Sequence, residues 1–436
     1  MALPFSFHGQ HVADNNYIPE NLPSIEHYLS QISAKQQNRA TGKYASKIKK
    51  VFTEHEKKMK TAITDSVYFF NEDLNKNLEV ILNEIYSSNP VINHGDYYFF
   101  IKNSIVPNAG CYGDGSFEIN LGLFTTYNSD DELAYVICHE IAHKILDHSY
   151  KKLNDVMSTF NSKETKEEIR KVEKTKYGRT RAGLTLLDGL NSDFLQHSKE
   201  AEVEADSLGY IFFQNTGYQP KSAVSALEKL KITDGSYFDF PIKLDSIFDF
   251  KSYPFKAYWL EEEVPLFEVS EEIDDFSFAS AKEKTHPEID FRIDKIQEGF
   301  SIDDSGKVSN LSINEINKIT SIQSITYAID LNLLDLAFYQ LVRKFEQGTI
   351  GESYYYETMA KVLRRTYTAK KNHELGKYVP RKNNLSDEKE LNKIRLFLHN
   401  LELGEIRRIS LAFCETNLSK QPDNKPLKLT YDFFKR

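Results

Sequence analysis

The stretch Ser129-Asp130-Asp131-Glu132-Leu133-Ala134-Tyr135-Val136-Ile137-Cys138-His139-Glu140-Ile141-Ala142-His143 decides the fold. Its first four residues read as a helix start. Ser129 and Glu132 have the S-x-x-E spacing of a capping box, and Asp130 and Asp131 place negative charge at the positive end of the helix dipole. The apolar run that follows predicts a buried helix reaching about His148. Inside it, His139-Glu140-Ile141-Ala142-His143 is an HExxH motif. Positions i and i+4 share a helix face, so two imidazoles can reach one zinc ion at about 2.0–2.1 Å. Glu140 can then face an activated water. Chance alone yields this motif in roughly a few per cent of chains of this size and histidine content. The apolar setting argues against chance, because two imidazoles and a carboxylate buried there without a metal or polar partners would be costly.

Downstream, Glu200-Ala201-Glu202-Val203-Glu204-Ala205-Asp206 offers four carboxylates on a helix expected from near Ser192 or Asp193 to about Phe213. Glu202 and Asp206 share a face, with Glu204 about 200° away. That face can present Glu202 as a third ligand and Asp206 as the acceptor for a ligand imidazole N–H. His148 lies about 140° round the helix from His143, so it is expected off the metal and is read as structural or as a partner of the helix dipole at its C-terminal end. Upstream, 97–101 and 117–121 read as strands and 110–115 as a glycine-rich turn. The sheet edge is expected near 117–121.

The length of 436 residues allows two or three domains. A net charge of −9 argues against a nucleic-acid partner. The three cysteines, Cys111, Cys138 and Cys414, make neither a disulfide framework nor a CxxC zinc site. No run of 18 apolar residues predicts a transmembrane segment. The N-terminus lacks the pattern of a signal peptide, which leaves a cytoplasmic protein or one whose leader has been removed.

After Gly306 the segments 325–347, 352–372, 388–400 and 404–418 read as successive helices. They form either a degraded tetratricopeptide-like (TPR-like) array or a plain bundle. The expected domains are an N-terminal helical segment (1–61), a domain carrying both motifs (62–300) with insertions at about 150–190 and 232–284, and a helical domain (301–436).

HExxH followed by ExEADxxG, ending at Gly209, resembles the zinc peptidases of metallopeptidase family forty-eight, which include the CAAX prenyl proteases and the HtpX-like and BepA-like proteases. The likeness extends to Asn108-Ala109, Phe117-Glu118-Ile119 and Gly122-Leu123-Phe124 before the motif helix. It extends also to Ser198-Lys199 and to Thr285-His286-Pro287 with Arg292, covering about 62–296. The sequence departs from the family pattern at the turn 108–115, and it lacks the membrane helices of the prenyl-protease and HtpX-like branches.

The resemblance implies one zinc ion per chain held by His139, His143 and Glu202, with Glu140 as general base. It implies that Asp206 orients a ligand histidine and that Asn108, His286 and Arg292 lie in or beside the cleft. His286 or Arg292 would donate to the oxyanion, or His286 would act as a latch on the zinc. The expected fold is an α+β zincin-like (gluzincin) catalytic domain with a small sheet, followed by all-α, TPR-like helices. The expected function is a zinc endopeptidase acting on protein or peptide substrates, with a protein partner on the C-terminal helices and a place in envelope quality control. The alternatives are an inactive or latent zinc-binding adaptor, a zinc hydrolase acting on something other than peptides, and a cytoplasmic location.

Overall fold

The computed structural model describes residues 21–174, 199–231, 238–262, 289–303, 313–382 and 388–436. These fall into two compact units. The first takes in the described residues up to Leu230 together with 289–303. The second takes in 238–262 and the described residues from Asn314 onward.

The first unit opens with α1 (Leu22–Arg39), α2 (Ala45–Thr64) and α3 (Glu72–Ser88). The α1–α2 pair, set apart by sequence as part of 1–61, shares a core with the following chain. Ile25, Leu29 and Ile32 of α1 and Met59 and Ile63 of α2 bury together with Tyr68 and Phe100. The sheet consists of β1 (Tyr98–Lys102), β2 (Ala109–Cys111) and β3 (Ser116–Asn120), in the order β1-β3-β2. β1 runs parallel to β3, with Tyr98 opposite Ser116, and β2 runs antiparallel to it, with Cys111 opposite Phe117.

The sequence expectation of an edge at 117–121 is therefore corrected: β3 is the central strand, and β1 and β2 are its two neighbours at the edges. Phe117 and Ile119 point into the core of a strand paired on both sides. Ala109-Gly110-Cys111 carries no β-branched or aromatic residue and reads by itself as loop. The turn after it makes it a strand. Gly115 sits at φ +109°, a conformation that other residues avoid. The Asp114 carboxylate accepts from both the backbone N–H and the hydroxyl of Ser116, at 2.9 and 2.6 Å.

After α4 (Leu121–Thr126), the motif helix α5 spans Asp130–Ile145. The Ser129 hydroxyl caps it by accepting from Glu132 N–H, as the sequence predicts. The three acidic residues of its first turn do more than favour the dipole, since all are buried. Asp130 accepts from Asn77 of α3, Asp131 from the Gln219 backbone, and Glu132 from Lys229 of α9 (Lys221–Leu230). Three neighbouring segments are thereby tied to one helix end.

The helix expected to reach His148 stops three residues earlier. Asp147 adopts the left-handed conformation, at φ 61°, and a new helix α6 (His148–Asn161) starts after it. α7 (Lys163–Lys174) follows within the stretch read as an insertion. Residues 199–214 form α8, and α10 (Ile289–Gly299) packs on α9.

The second unit is helical. Its long helices are α11 (Ile313–Asp330), α12 (Leu334–Glu346), α13 (Glu352–Lys371), α14 (Lys389–Asn400), α15 (Leu403–Leu418) and α16 (Lys425–Lys435). The single helix expected at 325–347 is two helices, broken where Asn332 turns through φ 57°. Residues 238–262, read in the sequence as part of an insertion in the peptidase domain, lie in this unit's core. Phe248 stacks on Phe397 at 5.3 Å and Trp259 is fully buried. Among the described residues no helix is long and apolar enough to cross a membrane.

Candidate metal centre and active site

α5 and α8 build the site between them. They approach closely because Gly209 of α8 lies against the α5 backbone. A Cβ at Gly209 would come within 2.8 Å of His139 Cα and 2.9 Å of His139 N. This contact sets Glu202 and Asp206, on the same face of α8, beside the two motif histidines.

His139 Nε2 and His143 Nε2 are 3.0 Å apart. Glu202 places its carboxylate oxygens 3.5 Å from the first and 3.4 Å from the second. Donors at about 2.05 Å on a tetrahedral zinc ion stand about 3.3 Å from one another, so the three residues fit the ion. They form the only His/Cys/Asp/Glu cluster of metal-holding geometry among the described residues.

The surroundings prepare the donors. His139 Nδ1 meets Asp206 Oδ1 at 2.9 Å, leaving Nε2 for a metal. Asp206 in turn accepts from the Tyr135 hydroxyl at 3.0 Å and from Arg292 Nε and Nη2, both at 2.6 Å. Burial pushes the Asp206 carboxyl up, but the Arg292 guanidinium and His139 more than offset this and hold it below the usual carboxylate range. Burial would lower the His139 pKa, yet the Asp206 charge raises it above the ordinary histidine range. The pocket therefore favours a cation at the imidazole, either a proton or a metal ion.

Arg292, expected beside the cleft as an oxyanion donor, is 4% exposed and directs its guanidinium onto carboxylates instead. Besides its two bonds to Asp206, its Nη1 lies 3.3 Å from Glu202. Glu140 is half-buried on the same helix as the two histidines. Cys111 of β2 lies within its electrostatic reach. Burial, with the Glu140 carboxylate added, pushes that thiol well above its usual range, so the thiol stays protonated. Asn108 is exposed at the entry to β2, where its carbonyl accepts from Asn120 N–H at 3.0 Å. His286 lies outside the described residues.

Sequence reasoning gave no site role to Tyr135 or His148. Tyr135 falls on α5 four residues before His139, a spacing that could have pointed to it. His148 gave no usable signal, because its position depends on the break at Asp147.

Two histidines one turn apart, a glutamate from a second helix and a glutamate following the first histidine define a metallopeptidase-type centre. The chain matches Peptidase family M48 over residues 72–299, just over half of its length, and belongs to that family of zinc-dependent metallopeptidases.

Proposed function

We propose that this chain is a zinc endopeptidase of the gluzincin type that hydrolyses peptide bonds in protein substrates. The convergence of His139, His143 and Glu202 within tetrahedral spacing carries this reading. Zinc bound there supplies Lewis acidity towards the scissile carbonyl and brings the pKa of a water towards about 7. Glu140 accepts the proton of the attacking water and passes it to the departing amine nitrogen. Asp206 fixes the tautomer of His139, and Arg292 holds Asp206 and Glu202 in place, a positioning role in preference to oxyanion donation.

His286 remains in this reading as the oxyanion donor or the latch, on the family resemblance of Thr285-His286-Pro287. An extended substrate adds to β2, whose outer edge pairs with no strand among the described residues. The C-terminal helices serve as a TPR-like partner surface. Envelope protein quality control is the setting we favour, on the likeness to the family branch that lacks membrane helices.

The ligand set is tested by chelator competition. Glu202→Ala should weaken zinc binding far more than Glu204→Ala, because Glu204 carries a 61% exposed side chain turned away from the donor cluster. Equal affinities in the two variants would contradict the assignment.

A further inference from the structure

We infer that His148, held by Glu204, is a positioning residue for His143, completing a second outer support for the metal site that mirrors Asp206 on His139. The inference rests on the zinc reading above. His148 Nδ1 lies 2.9 Å from His143 Nδ1, and His148 Nε2 lies 3.1 Å from Glu204 Oε2. The His148 side chain is 9% exposed.

The proton positions along this chain of groups are fixed by one requirement. For His143 to offer a lone pair through Nε2, its Nδ1 must carry the hydrogen. That hydrogen then points at His148 Nδ1, which must be bare to accept it. The proton of His148 consequently sits on Nε2, where the Glu204 carboxylate accepts it. All three groups agree on a single tautomer pattern. The opposite pattern would leave His143 Nε2 protonated and unable to bind a metal.

The geometry is created by the chain, not by helix periodicity. A continuous helix would carry His148 about 140° away from His143. The left-handed Asp147 ends α5 and turns the chain so that His148, at the start of α6, folds back onto the His143 ring. The Asp147 carboxylate is itself held by Arg39 at the end of α1, at 2.9 Å from Nη1 to Oδ1. The two ligand histidines thus have unlike supports. His139 faces an anion buried against Arg292, and His143 faces a neutral imidazole with its carboxylate at the surface.

Two substitutions separate this role from simple packing. In His148→Asn the amide oxygen can occupy the position of Nδ1 and still accept from His143. In His148→Gln the amide reaches the position of Nε2, keeping a bond to Glu204 but offering His143 no acceptor. Zinc affinity of the full chain is measured by chelator competition, and the cobalt(II)-substituted protein is followed by its visible absorption.

His148→Asn should bind zinc within about threefold of the wild type and keep the cobalt spectrum. His148→Gln should lose about 10- to 100-fold in affinity, the range for removing an outer support of a metal ligand, and should alter the spectrum. Equal affinity in wild type and His148→Gln, or an equal loss in both variants, would overturn the inference. Failure of the wild type itself to bind zinc would instead overturn the reading on which it rests.

Discussion

At the scale of single residues, the site depends on a buried charge balance. Asp206 and Arg292 are 1% and 4% exposed and meet through two short bonds, so neither has water to fall back on. Removing one partner of such a pair leaves the other charge uncompensated and costs about 3–5 kcal/mol. Arg292→Leu is therefore expected to destabilise the first unit by that amount in denaturant unfolding and to weaken zinc binding as well. A variant as stable as the wild type would show that the pair does not anchor the site. The ion pair was not legible in the sequence. Arg292 stands 86 residues beyond Asp206, and only the family motif linked it to the site.

At the scale of elements, the decisive contact is α8 against α5. Gly209→Ala would bring a Cβ within 2.8 Å of the His139 backbone, with no flexible side chain to yield. The helices would have to separate, at a cost of about 1–3 kcal/mol for overpacking. Glu202 and Asp206 would move away from the histidines with them. Lower thermal stability together with weaker zinc binding is the expected outcome, and unchanged zinc affinity would show that the helix spacing does not set the site.

What could be read from sequence follows from how local each cause is. The start of α5 was legible because Ser129 and Glu132 cap it through neighbouring backbone. The shared face of Glu202 and Asp206 was legible because helix geometry fixes it. The end of α5 was not, because Asp147 takes a left-handed conformation supported by Arg39, 108 residues away. β2 was not legible, because Gly110 and Cys111 belong by sequence to a glycine-rich turn and Ala109-Gly110-Cys111 becomes a strand by pairing with β3. The placement of 238–262 in the second core likewise depends on contacts such as Phe248 with Phe397 that no local pattern encodes.

At the scale of the whole molecule, the second unit has a hydrophobic core made of its own residues. In this unit, Glu405 near the start of α15 accepts from Lys256 at 2.8 Å and from the Tyr258 hydroxyl. Burial pushes its carboxyl up, but the Lys256 and Tyr258 hydrogen bonds pull it down to about 2. A depressed folded-state value means that its stabilisation is fully present above about pH 4.5 and is lost as the pH falls through about 2. The melting temperature of this unit should therefore fall as the pH drops across that window. Glu405→Gln should start from a lower melting temperature and show a flatter acid limb, whereas parallel curves for the two proteins would contradict the assignment.

The first unit carries the His139, His143 and Glu202 cluster, and one comparison tests the proposed chemistry most directly. Purified wild type and Glu140→Gln, each loaded to one zinc per chain, are assayed for cleavage of an unfolded protein such as casein. The amide nearly keeps the shape of the carboxylate but cannot take the proton of the attacking water. Equal zinc content in the two proteins, cleavage by the wild type, and a loss of several orders of magnitude in turnover for Glu140→Gln are expected. Turnover near the wild-type rate in zinc-loaded Glu140→Gln would contradict the proposed chemistry.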